Sequence, residues 1–194
     1  MEIALDILKK IYGFFVDTIQ TILLAASIFL VIYVFLFRPF EVSGDSMFPT
    51  FKNKEYILTN LIGLRLEPPK KGDVIVFRSP TDRDKDFIKR VIGTPGDTVR
   101  LQEGYVFVNG RQLDESEYLS SDVRTFGGSF MREGEDVFVP AGKYIVMGDN
   151  RPYSSDSREW GPLKREDIIG KSFYVYWPLT NMRAVINPFG ESKK

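Results

Sequence analysis

The first apolar segment of the chain is long, uninterrupted and close to the N-terminus. Residues 18–37 form a run of 20 residues without a charged side chain, bounded by Asp17 and Arg38. At about 1.5 Å per residue such a helix is roughly 30 Å long, which matches the hydrocarbon core of a bilayer. The pattern therefore predicts a transmembrane helix over residues 18–37.

Two other interpretations of this run fit less well. A secretory signal peptide has an apolar region of about 7–15 residues and a small-residue cleavage site, whereas this run is followed by Phe-Arg-Pro-Phe. A buried core helix normally has a polar face, and this run is apolar all round.

Residues 1–17 alternate apolar and charged positions at helical spacing, which predicts an amphipathic interfacial lead-in. Lys9 and Lys10 favour a cytoplasmic N-terminus, although Arg38 and three acidic residues weaken that bias.

Beyond the anchor, residues 38–194 change to short apolar runs separated by turn residues. Such runs predict β-strands at 55–61, 73–77, 87–92, 98–102, 105–108, 137–139, 144–147 and 172–177. Glu103-Gly104 and Asn109-Gly110 have the composition of tight hairpin turns. Residues 113–136 are weakly periodic and rich in Glu, Ser, Asp and Gly, which indicates a cap-like insertion spanning roughly 103–136. We expect an all-β domain of antiparallel sheets, sandwich or barrel-like, over residues 38–194.

The composition limits which types of active site and metal site are possible, because the chain contains no histidine and no cysteine. These absences exclude Ser-His-Asp and Cys-His nucleophile systems, Cys/His zinc sites, iron–sulfur clusters and disulfides. The 26 basic and 26 acidic residues balance, which argues against nucleic acid as a partner. We expect no metal and no cofactor. The oligomeric state stays open.

A candidate nucleophile, Ser46, follows the anchor. Gly44 frees the backbone before Ser46 and Pro49 fixes it afterwards, so the serine hydroxyl and amide can be held in a defined turn. An ordinary polar turn is the alternative interpretation. Ser46 is nine residues beyond Phe37, so even an extended chain places it within roughly 30 Å of the bilayer edge.

A serine nucleophile needs a base, and without histidine the candidates are lysine or a carboxylate. Strand alternation in the run 87–92 places Lys89 on the same face as Phe87 and Val91. Desolvation there would lower the lysine pKa toward the range of a usable base. The alternative is a lysine that extends to solvent from a half-buried strand.

A third polar cluster lies in the glycine-bounded segment 148–161. It concentrates side chains able to orient a site, namely Asp149, Asn150, Ser154, Asp156 and Arg158. Calcium binding would suit the oxygen ligands, but the EF-hand spacing is absent. A loop that bonds to itself is the other interpretation.

Together the three segments resemble the sequence boxes of bacterial type I signal peptidases, the Ser/Lys leader peptidases. The boxes are Ser46-Met-Phe-Pro-Thr50, Lys89-Arg-Val-Ile-Gly-Thr-Pro-Gly-Asp97, and Gly148 to Arg158. One box alone is a weak signal, but three in order behind one anchor are a specific one. The likeness extends over nearly the whole chain.

The resemblance implies a function and a set of roles. Ser46 would be the nucleophile, Lys89 the general base, Ser154 a partner orienting the lysine, and Asp156 with Arg158 a supporting ion pair; Asp149 would also support the site. The substrates would be secretory preproteins, cut after small residues at the bacterial cell membrane, with lipid as a second partner and the catalytic domain on the extracytoplasmic side.

One position departs from some relatives. Where certain members carry a serine that helps bind the oxyanion, this chain has Gly44, so the second donor would come from backbone or from Ser43. Two other functions also remain open at this stage. A non-catalytic membrane-anchored β module would bind a partner through the cap, and a self-cleaving Ser/Lys repressor would need a DNA-binding domain that has no candidate helix pair before Ser46.

Overall fold

The computed structural model describes residues 2–63 and 67–190 and divides into two units, residues 1–38 and 39–194. The first unit is dominated by helix α1, Glu2–Leu36. Its stretch Asp6–Val31 is long and apolar enough to cross a membrane, and its apolar side chains are exposed. Lead-in and span are thus one continuous helix, and the predicted N-terminal apolar helix is confirmed.

The second unit is built from antiparallel strands, which confirms the predicted all-β class. The strands are β1 (Phe37–Glu41), β2 (Tyr56–Asn60), β3 (Val74–Arg78), β4 (Asp86–Gly93), β5 (Thr98–Gln102), β6 (Tyr105–Val108), β7 (Arg111–Gln112), β8 (Asp136–Phe138), β9 (Lys143–Met147), β10 (Leu163–Lys164), β11 (Ile168–Trp177) and β12 (Arg183–Ala184). A short helix, α2 (Ser157–Trp160), and 3₁₀ turns at Arg151–Tyr153, Arg165–Asp167 and Leu179–Asn181 lie between them.

These strands form two sheets. The larger has the order β1-β2-β11-β3-β4-β9-β10, with β12 added to β11, and the smaller has the order β7-β6-β5-β8. The turns at Glu103-Gly104 and Asn109-Gly110 have positive φ at both residues and join β5 to β6 and β6 to β7. That conformation matches the twist of antiparallel strands, so both hairpin predictions are confirmed.

The core consists of three clusters of buried apolar side chains. One cluster joins the small sheet to β4 and β9, and includes Ile92, Leu101, Val106 and Met147. A second lies around Phe77, Val91 and Val146, and a third around Met47, Phe51 and Val175. Because β4 contributes side chains to the first two clusters, the strand is packed on both of its faces, which fixes the position of its backbone.

The eight predicted strands are all present, within about two residues at most ends, but β11 begins four residues earlier than expected, at Ile168. Strands β1, β7, β10 and β12 were not predicted. Three of these four are two residues long, which is too short for an alternating pattern to show in sequence. Residues 113–135 contain no helix or strand in the described structure, apart from a bridge between Leu101 and Glu133.

Candidate active site

The segment that carries Ser46 is a turn fixed by its apolar neighbours. Met47 and Phe51 are buried in the third core cluster, while Ser46 itself is half-buried. Backbone bonds from Phe48 N–H to Asp45 O, at 3.0 Å, and from Phe51 N–H to Met47 O, at 2.9 Å, close the turn. The hydroxyl of Ser46 is therefore presented from a backbone anchored on both sides.

Lys89 lies beside Ser46. It stands in the middle of β4, where its side chain reaches back so that Nζ donates to Ser46 Oγ at 2.7 Å and to Ile88 O at 2.9 Å. The ammonium is 5.3 Å from the centre of the Phe87 ring, as expected for two residues on one strand face. Only 4% of Lys89 is exposed, so this lysine is not one that extends to solvent.

Burial changes the acid–base behaviour of Lys89. Desolvation penalises the ammonium and lowers the pKa from 10.5 to about 8. The carboxylates of Asp156 and Asp149 act in the opposite direction, but they do not offset the burial. A substantial fraction of Lys89 is therefore neutral near pH 7 to 8, as a base must be.

Asp156 and Arg158 form a buried ion pair in the loop after β9. Arg158 Nε donates to Asp156 Oδ1 and Arg158 Nη2 to Oδ2, both at 2.8 Å. Asp156 also caps α2 and accepts Gly148 N–H at 3.0 Å. Burial alone would raise the pKa of Asp156, yet its bonds to Arg158 lower it, so the carboxylate stays ionised.

Asp149 is held by a second buried guanidinium. Arg90, the residue after Lys89, donates from Nε to Asp149 Oδ1 at 2.9 Å and from Nη2 to Oδ2 at 2.7 Å. Thr50 Oγ1 donates to the same carboxylate at 2.6 Å. This cluster links the three sequence segments directly. The loop therefore bonds to itself through Asp156 and Arg158 but also to β4 and the Ser46 turn through Asp149, and both of its buried carboxylates are paired with arginine.

Ser154 is buried next to this cluster. Its Oγ has no hydrogen-bond partner among the described residues, although the hydroxyl is close enough to Asp156 to contribute to its lowered pKa. The structure contains no Ser154–Lys89 hydrogen bond. The role of Ser154 in orienting the lysine therefore stays a prediction.

Gly44 has a clear conformational role. Its φ is +90°, and a Cβ there would meet nothing within 4 Å, so the backbone conformation rather than space favours glycine. Its N–H donates to Asn53 Oδ1 at 3.0 Å and is thus occupied. Ser43 is exposed and lines the same cleft as Ser46, so it stays the candidate for a second oxyanion donor.

Ser46 and Lys89 open onto a cleft of about 290 Å³. Residues 40–43 form one wall and residues 86–88 form the other, with Ile57 and Val76 between them. Strand β4 pairs with β9 only from Arg90 onward, so residues 86–89 have one edge without a strand partner in the described sheet. The cleft thus presents apolar surface and available backbone beside the candidate nucleophile.

Sequence reasoning did not find the distant contacts that hold this site, although Asn150 itself was among the polar residues of segment 148–161. Strand alternation predicts that the side chain of Arg90 lies on the opposite face of the strand from Lys89, but it does not show that Arg90 pairs with Asp149. Asn150 donates from Nδ2 to Asp45 O at 2.9 Å, and Arg151 is paired with Glu115 of the insertion. No local pattern marks such contacts, because their partners are 36 to 105 residues away.

Comparison with known proteins identifies the family of this chain. The family model described as "Signal peptidase, peptidase S26" matches residues 15–177. The chain belongs to the signal peptidase family. Signal peptidase IB of Staphylococcus aureus strain Mu50 is 33% identical over 186 residues, covering 89% of this chain and 96% of that protein. Signal peptidase I S of Bacillus subtilis strain 168 is 36% identical over 168 residues, covering 84% and 90%.

A solved structure from the same family is also similar. The crystal structure of a signal peptidase I from Enterococcus faecalis V583 is 31% identical, with a TM-score of 0.45, and covers 54% of this chain and 97% of that one. Family membership makes this chain a peptidase, and its apolar N-terminal helix fits a membrane-anchored signal peptidase.

Proposed function

We propose that this signal peptidase is a membrane-bound serine endopeptidase that removes N-terminal signal peptides from exported preproteins through a Ser46 nucleophile and a Lys89 general base. The 2.7 Å contact between Lys89 Nζ and Ser46 Oγ carries the proposal, because it joins a hydroxyl to a desolvated amine in a chain without histidine. The first two sequence boxes supply the two residues of this contact, and the third box bonds to Ser46 O through the Asn150 N–H.

The first chemical step transfers one proton. Neutral Lys89 accepts the proton of Ser46 as Oγ attacks the carbonyl carbon of the scissile peptide, which gives a tetrahedral oxyanion and a lysine ammonium. Collapse of this intermediate breaks the C–N bond, and Lys89 returns the proton to the leaving amine. Ser46 is then esterified to the signal peptide as an acyl-enzyme, and the mature protein is free.

Water completes the cycle. Lys89, neutral again, takes a proton from water as the oxygen attacks the ester carbonyl, and the proton passes to Ser46 Oγ when the ester breaks. The Ser46 N–H binds the oxyanion in both steps, with Ser43 as the candidate second donor. Each such donor typically contributes about 2.7–4 kcal/mol to the transition state.

The cleft supports recognition of an extended peptide. The unpaired edge of residues 86–89 and the opposite wall at 40–43 offer backbone groups on two sides, so a substrate can add as a strand. The cleft of about 290 Å³ is lined by Ile57, Val76 and Ile88 and so offers apolar surface to the side chains of such a peptide. Small residues at positions −1 and −3 from the cleaved bond are proposed from the resemblance to the signal peptidase family.

The anchor helix supports a location at the bacterial cell membrane. Lys9 and Lys10 precede the uncharged run 18–37 and favour a cytoplasmic N-terminus, which places the catalytic domain on the extracytoplasmic side. Because signal peptides are themselves held in the bilayer, a shared membrane raises the effective concentration of cleavage sites near Ser46. Lipid is thus a second partner.

The test is a cleavage assay on the full chain in detergent micelles, with a preprotein carrying Ala at −1 and −3. We expect Ser46→Ala and Lys89→Met to lose cleavage by at least about a thousandfold while remaining folded. Ser116→Ala and Lys164→Met, on the surface, serve as matched controls that retain it. Cleavage by either folded dyad variant would disprove the Ser/Lys mechanism, and absence of cleavage by the wild-type chain would favour a non-catalytic module.

A further inference from the structure

The backbone on both sides of Ser46 is held by one residue of the loop after β9, Asn150. Its side chain donates from Nδ2 to Asp45 O at 2.9 Å, and its main-chain N–H donates to Ser46 O at 3.0 Å. Asn150 is half-buried and does not contact Lys89 through a hydrogen bond in the described residues. Its contacts are therefore with the nucleophile's peptide groups rather than with the reacting atoms.

The bond to Asp45 O has a consequence for the Ser46 amide. The cis peptide bonds among the described residues are Phe48–Pro49 and Trp177–Pro178, so the Asp45–Ser46 peptide is trans. In a planar trans peptide the C=O and the N–H point in opposite directions. Whatever fixes the Asp45 carbonyl therefore also fixes the direction of the Ser46 N–H.

Two donors fix that carbonyl. Phe48 N–H reaches Asp45 O at 3.0 Å from within the turn, and Asn150 Nδ2 reaches it from the other side. The turn bond restrains the carbonyl only relative to its own turn, whereas Asn150 ties it to the loop whose Asp149 is paired with Arg90 of β4. Hydrogen bonding to a carbonyl also polarises the peptide, which strengthens its N–H as a donor.

The packing around Gly148 shows how closely this loop approaches Ser46. A Cβ built at Gly148 would lie 2.4 Å from Ser46 O and 2.2 Å from Ser154 Oγ. Such distances are not tolerated, so glycine lets the loop lie directly on the Ser46 carbonyl. Two residues later, Asn150 has the right position to reach both flanking carbonyls.

We propose that Asn150 is a positioning residue for the oxyanion site, which orients the Ser46 N–H by holding the Asp45 carbonyl. The inference rests on the proposed function, in which this N–H binds the developing oxyanion. Alanine at position 150 removes the Nδ2 donor. Aspartate has nearly the same shape but places an oxygen against the Asp45 carbonyl oxygen, so both variants release the peptide plane while keeping the main-chain bond to Ser46 O.

The experiment measures cleavage of a peptide with Ala at −1 and −3 by the full chain in detergent. We expect Asn150→Ala and Asn150→Asp to lower kcat by about tenfold to a hundredfold, less than loss of a direct donor, with KM within about twofold of wild type. Asn109→Ala is the matched control, since Asn109 lies in the turn between β6 and β7 and donates to Asp97, away from the cleft, and it should keep wild-type kcat.

A second readout separates positioning from a general structural effect. A substrate-like peptide aldehyde forms a hemiacetal when Ser46 Oγ adds to its carbonyl carbon, which creates the oxygen that the Ser46 N–H binds. The Asn150 variants should bind this aldehyde about tenfold to a hundredfold more weakly, in step with kcat/KM. They should bind the corresponding peptide carboxylate, a product, as well as wild type.

The outcomes distinguish this inference from the proposed function. If wild type cleaves and Ser46→Ala does not, but the Asn150 variants keep wild-type kcat, the role of Asn150 is disproved and the dyad stands. Parallel losses of melting temperature, active-site concentration and product binding would also overturn the inference, because they indicate a structural role. Cleavage by Ser46→Ala would instead disprove the proposed function.

Discussion

Lys89 Nζ lies 2.7 Å from Ser46 Oγ across a separation of 43 residues in the chain. The lysine extends from the middle of a paired strand, where only 4% of it is exposed, and the serine from a turn fixed by buried Met47 and Phe51. The position of the dyad is therefore set by two rigid elements. Its protonation is set by burial, and this has consequences that can be measured.

The pH dependence of cleavage should report Lys89. With its pKa lowered to about 8 by desolvation, we expect kcat/KM to rise about tenfold per pH unit below pH 8 and to level off above it, because only the neutral amine accepts the serine proton. Initial rates from pH 5.5 to 10.5 with a subsaturating peptide give the profile. A rate still climbing at pH 10 contradicts the prediction.

Protein stability should reveal the same burial. The native state holds the Lys89 proton less tightly than the unfolded chain does, so this lysine makes folding more favourable as pH rises from about 8 to 10.5. Below pH 8 the penalty of about 3 kcal/mol is fully present. Lys89→Met removes this penalty, so its free energy of unfolding should exceed that of wild type by the largest amount near pH 7. The difference should shrink toward pH 10.5.

Thermal unfolding in detergent at several pH values measures this difference. Lys164→Met, which removes an exposed lysine, is the control and should show no comparable trend. A Lys89→Met difference independent of pH would mean that Lys89 titrates alike in folded and unfolded chains.

The insertion should contribute to stability through Glu115. Its carboxylate accepts from Arg151 Nη1 at 3.1 Å, and the Arg151 side chain is completely buried. Glu115→Ala leaves that buried guanidinium without its carboxylate partner, although its bonds to Gly148 O and Thr125 Oγ1 remain, and we expect a loss of about 3 kcal/mol in the free energy of unfolding. Denaturant titration measures it.

A double variant sharpens this test. Combining Glu115→Ala with Arg151→Met removes both charges and should recover part of the stability that the single variant loses. The exposed pair Lys164–Glu166 provides the comparison, since Glu166→Ala should change the melting temperature little. If the stability loss of the double variant equals the sum of the losses for Glu115→Ala and Arg151→Met measured singly, the two residues are not coupled.

Gly148→Ala should impair catalysis because of the close approach to Ser46. The added methyl group would meet Ser46 O at 2.4 Å and Ser154 Oγ at 2.2 Å, so the loop or the nucleophile turn must shift. We expect kcat to fall at least about tenfold, since misplacement of about 1 Å can cost a hundredfold. Gly13→Ala, where nothing lies within 4 Å, is the control. Wild-type kcat for Gly148→Ala would show that the site tolerates the shift.

The sequence alone determined the parts of this protein that depend on local order along the chain. The uncharged run before Arg38 is long enough to define the helix, and strand alternation placed Lys89 with Phe87 on one face of β4. The absence of histidine and cysteine left lysine or a carboxylate as the base for any serine nucleophile. Each inference needs only neighbouring residues or a composition count, which the sequence contains in full.

The tertiary structure decided which distant groups meet and how much water reaches them. The burial of Lys89, the Arg90–Asp149 and Arg151–Glu115 pairs, and the contact of Asn150 with Asp45 all join segments far apart in the chain. A pKa depends on every atom that displaces solvent around the group, and those atoms come from several strands and loops. No local pattern contains that sum, so only the folded chain shows that Lys89 is buried beside Ser46.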